Sequence, residues 1–174
     1  MDFKTRIFSG AGVLALCCAP AFAQATALSA GDKDFMKMAA ETDMVEANLG
    51  QAAQNQAERQ DVKDYGQMLA ADHTANYNDL NALATKTSVD IPKGIDAKDN
   101  KKIDALVKLK GAAFDHRFLA EMIQGHTQAI AAFKKEAATG DNADVKAFAN
   151  TTLPKLQEHL DKAKDLSKPM KKGK

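Results

Sequence analysis

From Phe35 to Leu166, apolar residues recur every three or four positions among polar ones, the pattern of helices that bury one face. Phe35, Ala39, Thr42, Glu46, Leu49, Ala53 and Ala57 form one stripe along a first predicted helix. Ser29 and Asp32 are its candidate N-caps. A second helix is expected to begin near Glu58 to Asp61, where acidic residues suit the positive end of the helix dipole. Its stripe is Val62, Tyr65, Leu69, His73, Asn76, Leu80 and Leu83. Residues 86–98 hold Pro92 and Gly94 among polar neighbours and read as a connection. Asp99 to Leu109 reads as a short helix ended or bent at Gly111. The next helix runs through Phe114, Phe118, Met122, His126, Ile130 and Phe133 to about Ala138. Gly140 is a suitable C′ residue and Asp141 the expected N-cap of the last helix. That helix carries Val145, Phe148, Thr152, Leu156, His159, Ala163 and Leu166, and Pro154 should kink it.

The two halves repeat. At an offset of 83, Phe35 falls on Phe118, Ala57 on Gly140, Asp61-Val62-Lys63 on Asp144-Val145-Lys146, and Tyr65 on Phe148. One helical hairpin used twice, each burying its stripe against the other, predicts an all-α, ferritin-like four-helix bundle with a short extra helix in the crossover. The composition agrees. Aromatic residues are 6 % and Trp is absent, too few for a β-sandwich, while 45 % hydrophobic residues are too many for a disordered chain. Lys and Arg (24) nearly balance Asp and Glu (23), which leaves no electrostatic footprint for nucleic acid.

The N-terminus reads as an address. Lys4 and Arg6 precede an apolar run from Ile7 to Ala19, and Ala21-Phe22-Ala23 offers small residues where a signal peptidase cuts. The expected organisation is a cleaved signal peptide over 1–23, a flexible leader over 24–31, a bundle over 32–167 and a basic tail over 168–174. The run is shorter than the roughly 20 residues of a membrane span, so no transmembrane segment is expected in the mature chain. Cys17 and Cys18 lie inside the removed segment, so disulfides and thiolate sites are excluded from the exported protein. Cleavage also removes Asp2, Lys4 and Arg6 and leaves the rest formally neutral. A periplasmic location follows, with outer-membrane association as a variant.

Glu46, His73, Asn76, His126 and His159 interrupt stripes that should be apolar. Glu46 and His73 are equidistant from the first turn, and His126 and His159 from the second. At 1.5 Å per residue, Glu46 lies about 20 Å from its turn and His126 about 25 Å from its own. The two pairs therefore meet near mid-bundle whether the turns share an end or lie at opposite ends. Three imidazoles and one carboxylate suit one divalent transition metal, with Asp72 or Asn76 as outer partners. Affinity should then fall as histidines charge near pH 6. The competing reading is a set of core hydrogen-bonders, with Glu46 and His73 as a structural ion pair. His116 leaves the His126 face and reads as surface, Asp115 as the anchor of a helix end, and Met122 as packing.

Taken together, Asp72-His73, Phe114-Asp115, Met122 with His126, Leu153-Pro154 with His159-Leu160, and the twice-used Val-Lys-x-aromatic resemble the exported family known as domain of unknown function 4142. The resemblance implies a ferritin-like bundle and assigns no activity. Di-iron proteins of that wider fold use Glu-x-x-His pairs. Here Ala70, Ile123 and Leu156 stand three residues before His73, His126 and His159, so ferritin-type iron oxidation does not carry over. Three functional readings remain: a periplasmic metal-binding bundle, a non-catalytic envelope or stress-related module whose basic tail touches anionic partners, and a metal-dependent oxidoreductase.

Overall fold

The computed structural model describes residues 28–168. The segment read as a signal peptide, half of the expected leader and nearly all of the expected basic tail lie outside that range. Five helices account for the described chain: α1 (Ala30–Gln56), α2 (Gln60–Thr87), α3 (Ala97–Val107), α4 (Gly111–Thr139) and α5 (Ala143–Ser167). Among the described residues there is no strand, and no helix is long and apolar enough to cross a membrane.

Helix ends follow from local chemistry. Ser29 Oγ accepts from the Asp32 amide while Asp32 Oδ2 accepts from the Ser29 amide, a reciprocal cap that starts α1 at Ala30. The helix thus takes in the last two residues of the expected leader. Asp96 accepts from the Asp99 amide and starts α3 two residues earlier than the sequence suggests. Asn142, rather than the expected Asp141, caps α5 by accepting from the amides of Asp144 and Val145. Gly140 ends α4 at φ −59°, outside the left-handed region, so conformational freedom is not its role. A Cβ there would collide with the carbonyl and side chain of Glu136. Gly111 does need its freedom: at φ +61° it turns the chain into α4. The α5 helix continues through Pro154.

Two carboxylates fix the topology. Asp115, near the start of α4, accepts from the amides of Glu58 and Arg59 in the α1–α2 turn, at 3.1 Å each. Asp32, near the start of α1, accepts from the amides of Asp141 and Asn142 in the α4–α5 turn, at 3.0 and 3.4 Å. The start of each hairpin therefore sits beside the turn of the other, and the two turns lie at opposite ends. The segment after α2 must run the length of the bundle, with α3 packed along α1 and α4. This is the long-crossover connection of ferritin-like bundles.

The core has two apolar blocks. One gathers Phe35, Met36, Leu80, Ile130, Phe133, Val145 and Leu156, and the other Leu49, Val62, Tyr65, Leu69, Phe114, Phe118 and Leu166. Between them lies a polar layer of Asp43, Glu46, His73, His126, Thr152 and His159, all buried.

Candidate metal centre

Each long helix contributes to that layer at the same height, as equal distances from the turns require. Glu46 comes from α1, His73 from α2, His126 from α4 and His159 from α5. All four residues singled out in the sequence are brought together. Glu46 Oε2 lies 2.8 Å from His73 Nε2 and 3.1 Å from His126 Nε2, and His126 Nε2 lies 3.2 Å from His159 Nδ1. The three imidazoles present one nitrogen each within 4.8 Å of one another.

The outward nitrogens are already engaged. His126 Nδ1 meets the Met122 carbonyl oxygen at 2.9 Å, and because a carbonyl only accepts, this nitrogen carries the proton. His73 Nδ1 donates to Asp43 Oδ1 at 2.8 Å, and His159 Nε2 to Asp72 Oδ2 at 2.9 Å. In their neutral forms all three rings therefore turn a lone pair inward, those of His73 and His126 toward Glu46 and that of His159 toward His126. Such outer acceptors are what orient imidazole ligands at a metal.

The supporting groups continue outward. Asn76 donates to Asp43 Oδ2 at 2.8 Å, and Thr152 Oγ1 donates to Asn76 Oδ1 at 2.9 Å. Tyr65 OH donates to the His159 carbonyl at 3.0 Å. Asp72, half-buried, also faces Lys155 Nζ at 3.5 Å. Asp72 and Asn76 thus occupy the outer positions expected of them. Asp43 does the same work and was not foreseen. The expected stripe of α1 is buried at every position but Thr42, and the buried face is wider than that stripe, taking in Met36, Ala40, Asp43 and Ala47 beside it. The available signal was the spacing of Asp43, three residues before Glu46 on the same face.

Electrostatics sets the protonation. Burial disfavours a charge on His73, but Glu46 and Asp43 on either side raise its pKa to about 10. Burial and the nearby His73 lower His126. Burial, together with His73 and His126, lowers His159 to about 4 despite its bond to Asp72. Burial works against ionisation of Glu46, but His126 and His73 hold its carboxyl below the usual range. Burial raises Asp43, a trend its His73 and Asn76 partners only partly offset. At neutral pH the layer therefore holds a single imidazolium between two carboxylates.

That proton does not satisfy the layer. Glu46 Oε2 and His73 Nε2 are close, yet their approach is off the N–H direction and neither buried atom has an aligned hydrogen bond. A divalent cation suits the same atoms. Three of the donor pairs, 2.8–3.2 Å apart, approach the edge of a tetrahedron with bonds of about 2.0 Å, roughly 3.3 Å, and the three imidazole nitrogens lie within 4.8 Å of one another. Two positive charges in place of the His73 Nε2 proton would also balance Asp43 and Glu46. His116 is exposed, outside the layer, and Asp115 is the helix anchor already described.

Fold and centre together define an all-α bundle with a buried histidine–carboxylate layer. The chain belongs to the DUF4142 family, a domain of unknown function, whose match spans residues 17–166. Among curated proteins no match is found. A crystal structure of a DUF305 fragment from Deinococcus radiodurans has a similar fold, with a TM-score of 0.70 and 11 % identity. The similarity covers 80 % of this chain and 97 % of that one.

Proposed function

We propose that this protein is an exported, periplasmic bundle that holds one divalent transition metal ion through Glu46, His73, His126 and His159. The observation that carries the reading is the convergence of the inward ring nitrogens. Three rings, each held by an outer acceptor, bring their other nitrogens within 4.8 Å of one another, and those of His73 and His126 lie 2.8 and 3.1 Å from a Glu46 oxygen that lacks an aligned hydrogen bond. Zinc, copper, nickel and iron(II) all accept such a donor set. A bundle of this kind would buffer, carry or sense its metal. Export rests on the basic, apolar and small-residue succession ahead of Gln24.

Thermal melts with and without zinc, copper(II) or iron(II) test the centre, because a ligand of the native state stabilises it by mass action. The wild-type melting temperature should rise with at least one metal. His73→Ala and His126→Ala should lose most of that rise while His116→Ala keeps it. Equal loss in all three variants would mean that the metal binds elsewhere.

A second reading has its own support. The His73 imidazolium between Asp43 and Glu46 is a buried ion triad that needs no metal, as expected of a structural layer in an envelope module. Melts unmoved by every metal would favour it.

A further inference from the structure

A cavity of about 1070 Å³ opens between α1, α3 and α4. Of the four residues at the centre, only Glu46 lines it. Its two oxygens have different surroundings. Oε2 points at the imidazoles, whereas Oε1 lies against Gly125, where a Cβ would sit 2.8 Å away. Gly125 also lines the cavity, so the missing side chain keeps the carboxylate at its floor uncovered. Glu41, Glu121 and Met122 add oxygen and sulfur donors along the walls. Glu121 is tied to Arg117 at 2.6 Å, which leaves its other oxygen for a passing ion. The roof is α3, whose only buried residue is Leu106.

We propose that this cavity is the passage by which a divalent cation reaches and leaves the buried layer, with Glu46 as the ligand that receives it. The proposal rests on the metal-binding reading above. A cation cannot cross the apolar blocks on either side of the layer without losing hydration it has no means to replace. The cavity offers carboxylates at its rim and floor instead; its lining also holds Lys101, Lys102 and Arg117, of which Lys102 is paired with Asp99 and Arg117 with Glu121. On the opposite face the layer meets half-exposed Asp72 and Asn76, and Asp72 is engaged by His159 and Lys155 while Asn76 donates to Asp43.

The test follows cobalt(II), whose ligand-field absorption reports on the coordinating atoms, in the mature chain. Equilibrium titration comes first, then stopped-flow uptake and extraction by a chelator. Thr42→Phe and Val45→Phe narrow the cavity without touching a ligand, and Lys155→Trp covers the Asp72 side. Both cavity variants should slow uptake and extraction by roughly tenfold or more, through a higher barrier common to both directions. The dissociation constant should stay within about threefold, since the barrier rather than the bound state is altered. Lys155→Trp should leave the rates alone. Unchanged rates in folded cavity variants, or slowing by Lys155→Trp instead, would overturn the passage while leaving the centre standing. Absence of cobalt binding in the first titration would remove the centre, and the passage with it.

Discussion

Asp32 and Asp115 stand 83 residues apart, and each closes the turn of the hairpin to which it does not belong. The amides that Asp115 accepts from, Glu58 and Arg59, are offset by the same 83 from Asp141 and Asn142, which Asp32 accepts from. The sequence repeat is thus a repeat of contacts. Asp32 is held below the usual carboxylate range, because its hydrogen bonds, led by the Ser29 amide, outweigh the effect of burial.

Removing either carboxylate takes away the acceptor of part-buried turn amides. Asp32→Ala and Asp115→Ala should each cost about 1–3 kcal/mol. The double variant should lose the sum, because the two sites are at opposite ends of the bundle. Urea denaturation measures all three. A strong departure from additivity would mean that one end reports on the other.

Asp43 holds the His73 ring by its Nδ1 proton, and Asp43→Asn keeps the shape while removing the charge. Metal affinity should weaken by about 10–100-fold, the usual effect of losing an outer partner. Competition with a chromophoric chelator would read it. Asp79→Asn, on the exposed face of α2, should change nothing.

Metal uptake should release one proton. His73 keeps its proton to about pH 10, so at neutral pH a cation must displace it from Nε2. Apparent affinity should therefore rise about tenfold per pH unit from neutrality toward 10, as expected for one proton released. The window lies above the ordinary histidine range near 6 expected from the sequence. Calorimetry in buffers of different ionisation heat counts the proton, and a count of zero would place His73 neutral before binding.

Glu136 makes stability depend on pH at the far end of the molecule. Burial, with Asp32 and Asp141 nearby, raises its pKa to about 7. The folded state then binds more protons than the unfolded chain between about pH 4.5 and 7, so stability falls as pH rises through that interval. Glu136→Gln should flatten that part of the curve and stabilise the protein at pH 8 relative to wild type. Chemical denaturation at several pH values would show it.

Much of this was legible because helices translate spacing into position. The stripes located four long helices, and equal distances from two turns located the layer without any knowledge of topology. The same insensitivity hid the topology: the crossover is long enough for either connection, and only the amides held by Asp32 and Asp115 decide. Asp43 was hidden for a different reason. A carboxylate beside a stripe is normally solvated, and nothing within α1 reveals that His73 approaches it from another helix. Asn142 and Asp141 are both good N-caps, so the sequence alone could not rank them.

The crossed carboxylate contacts make the molecule two interlocked halves joined by a tether. Gly94 lies in that tether with open space around it. A chain cut there would give two fragments, each bringing half of the buried layer and one carboxylate for the other's turn. Neither fragment could bury its own stripe, and mixing them should restore the bundle. The protein is in this sense a dimer that happens to be encoded as one chain, and its centre is the subunit interface.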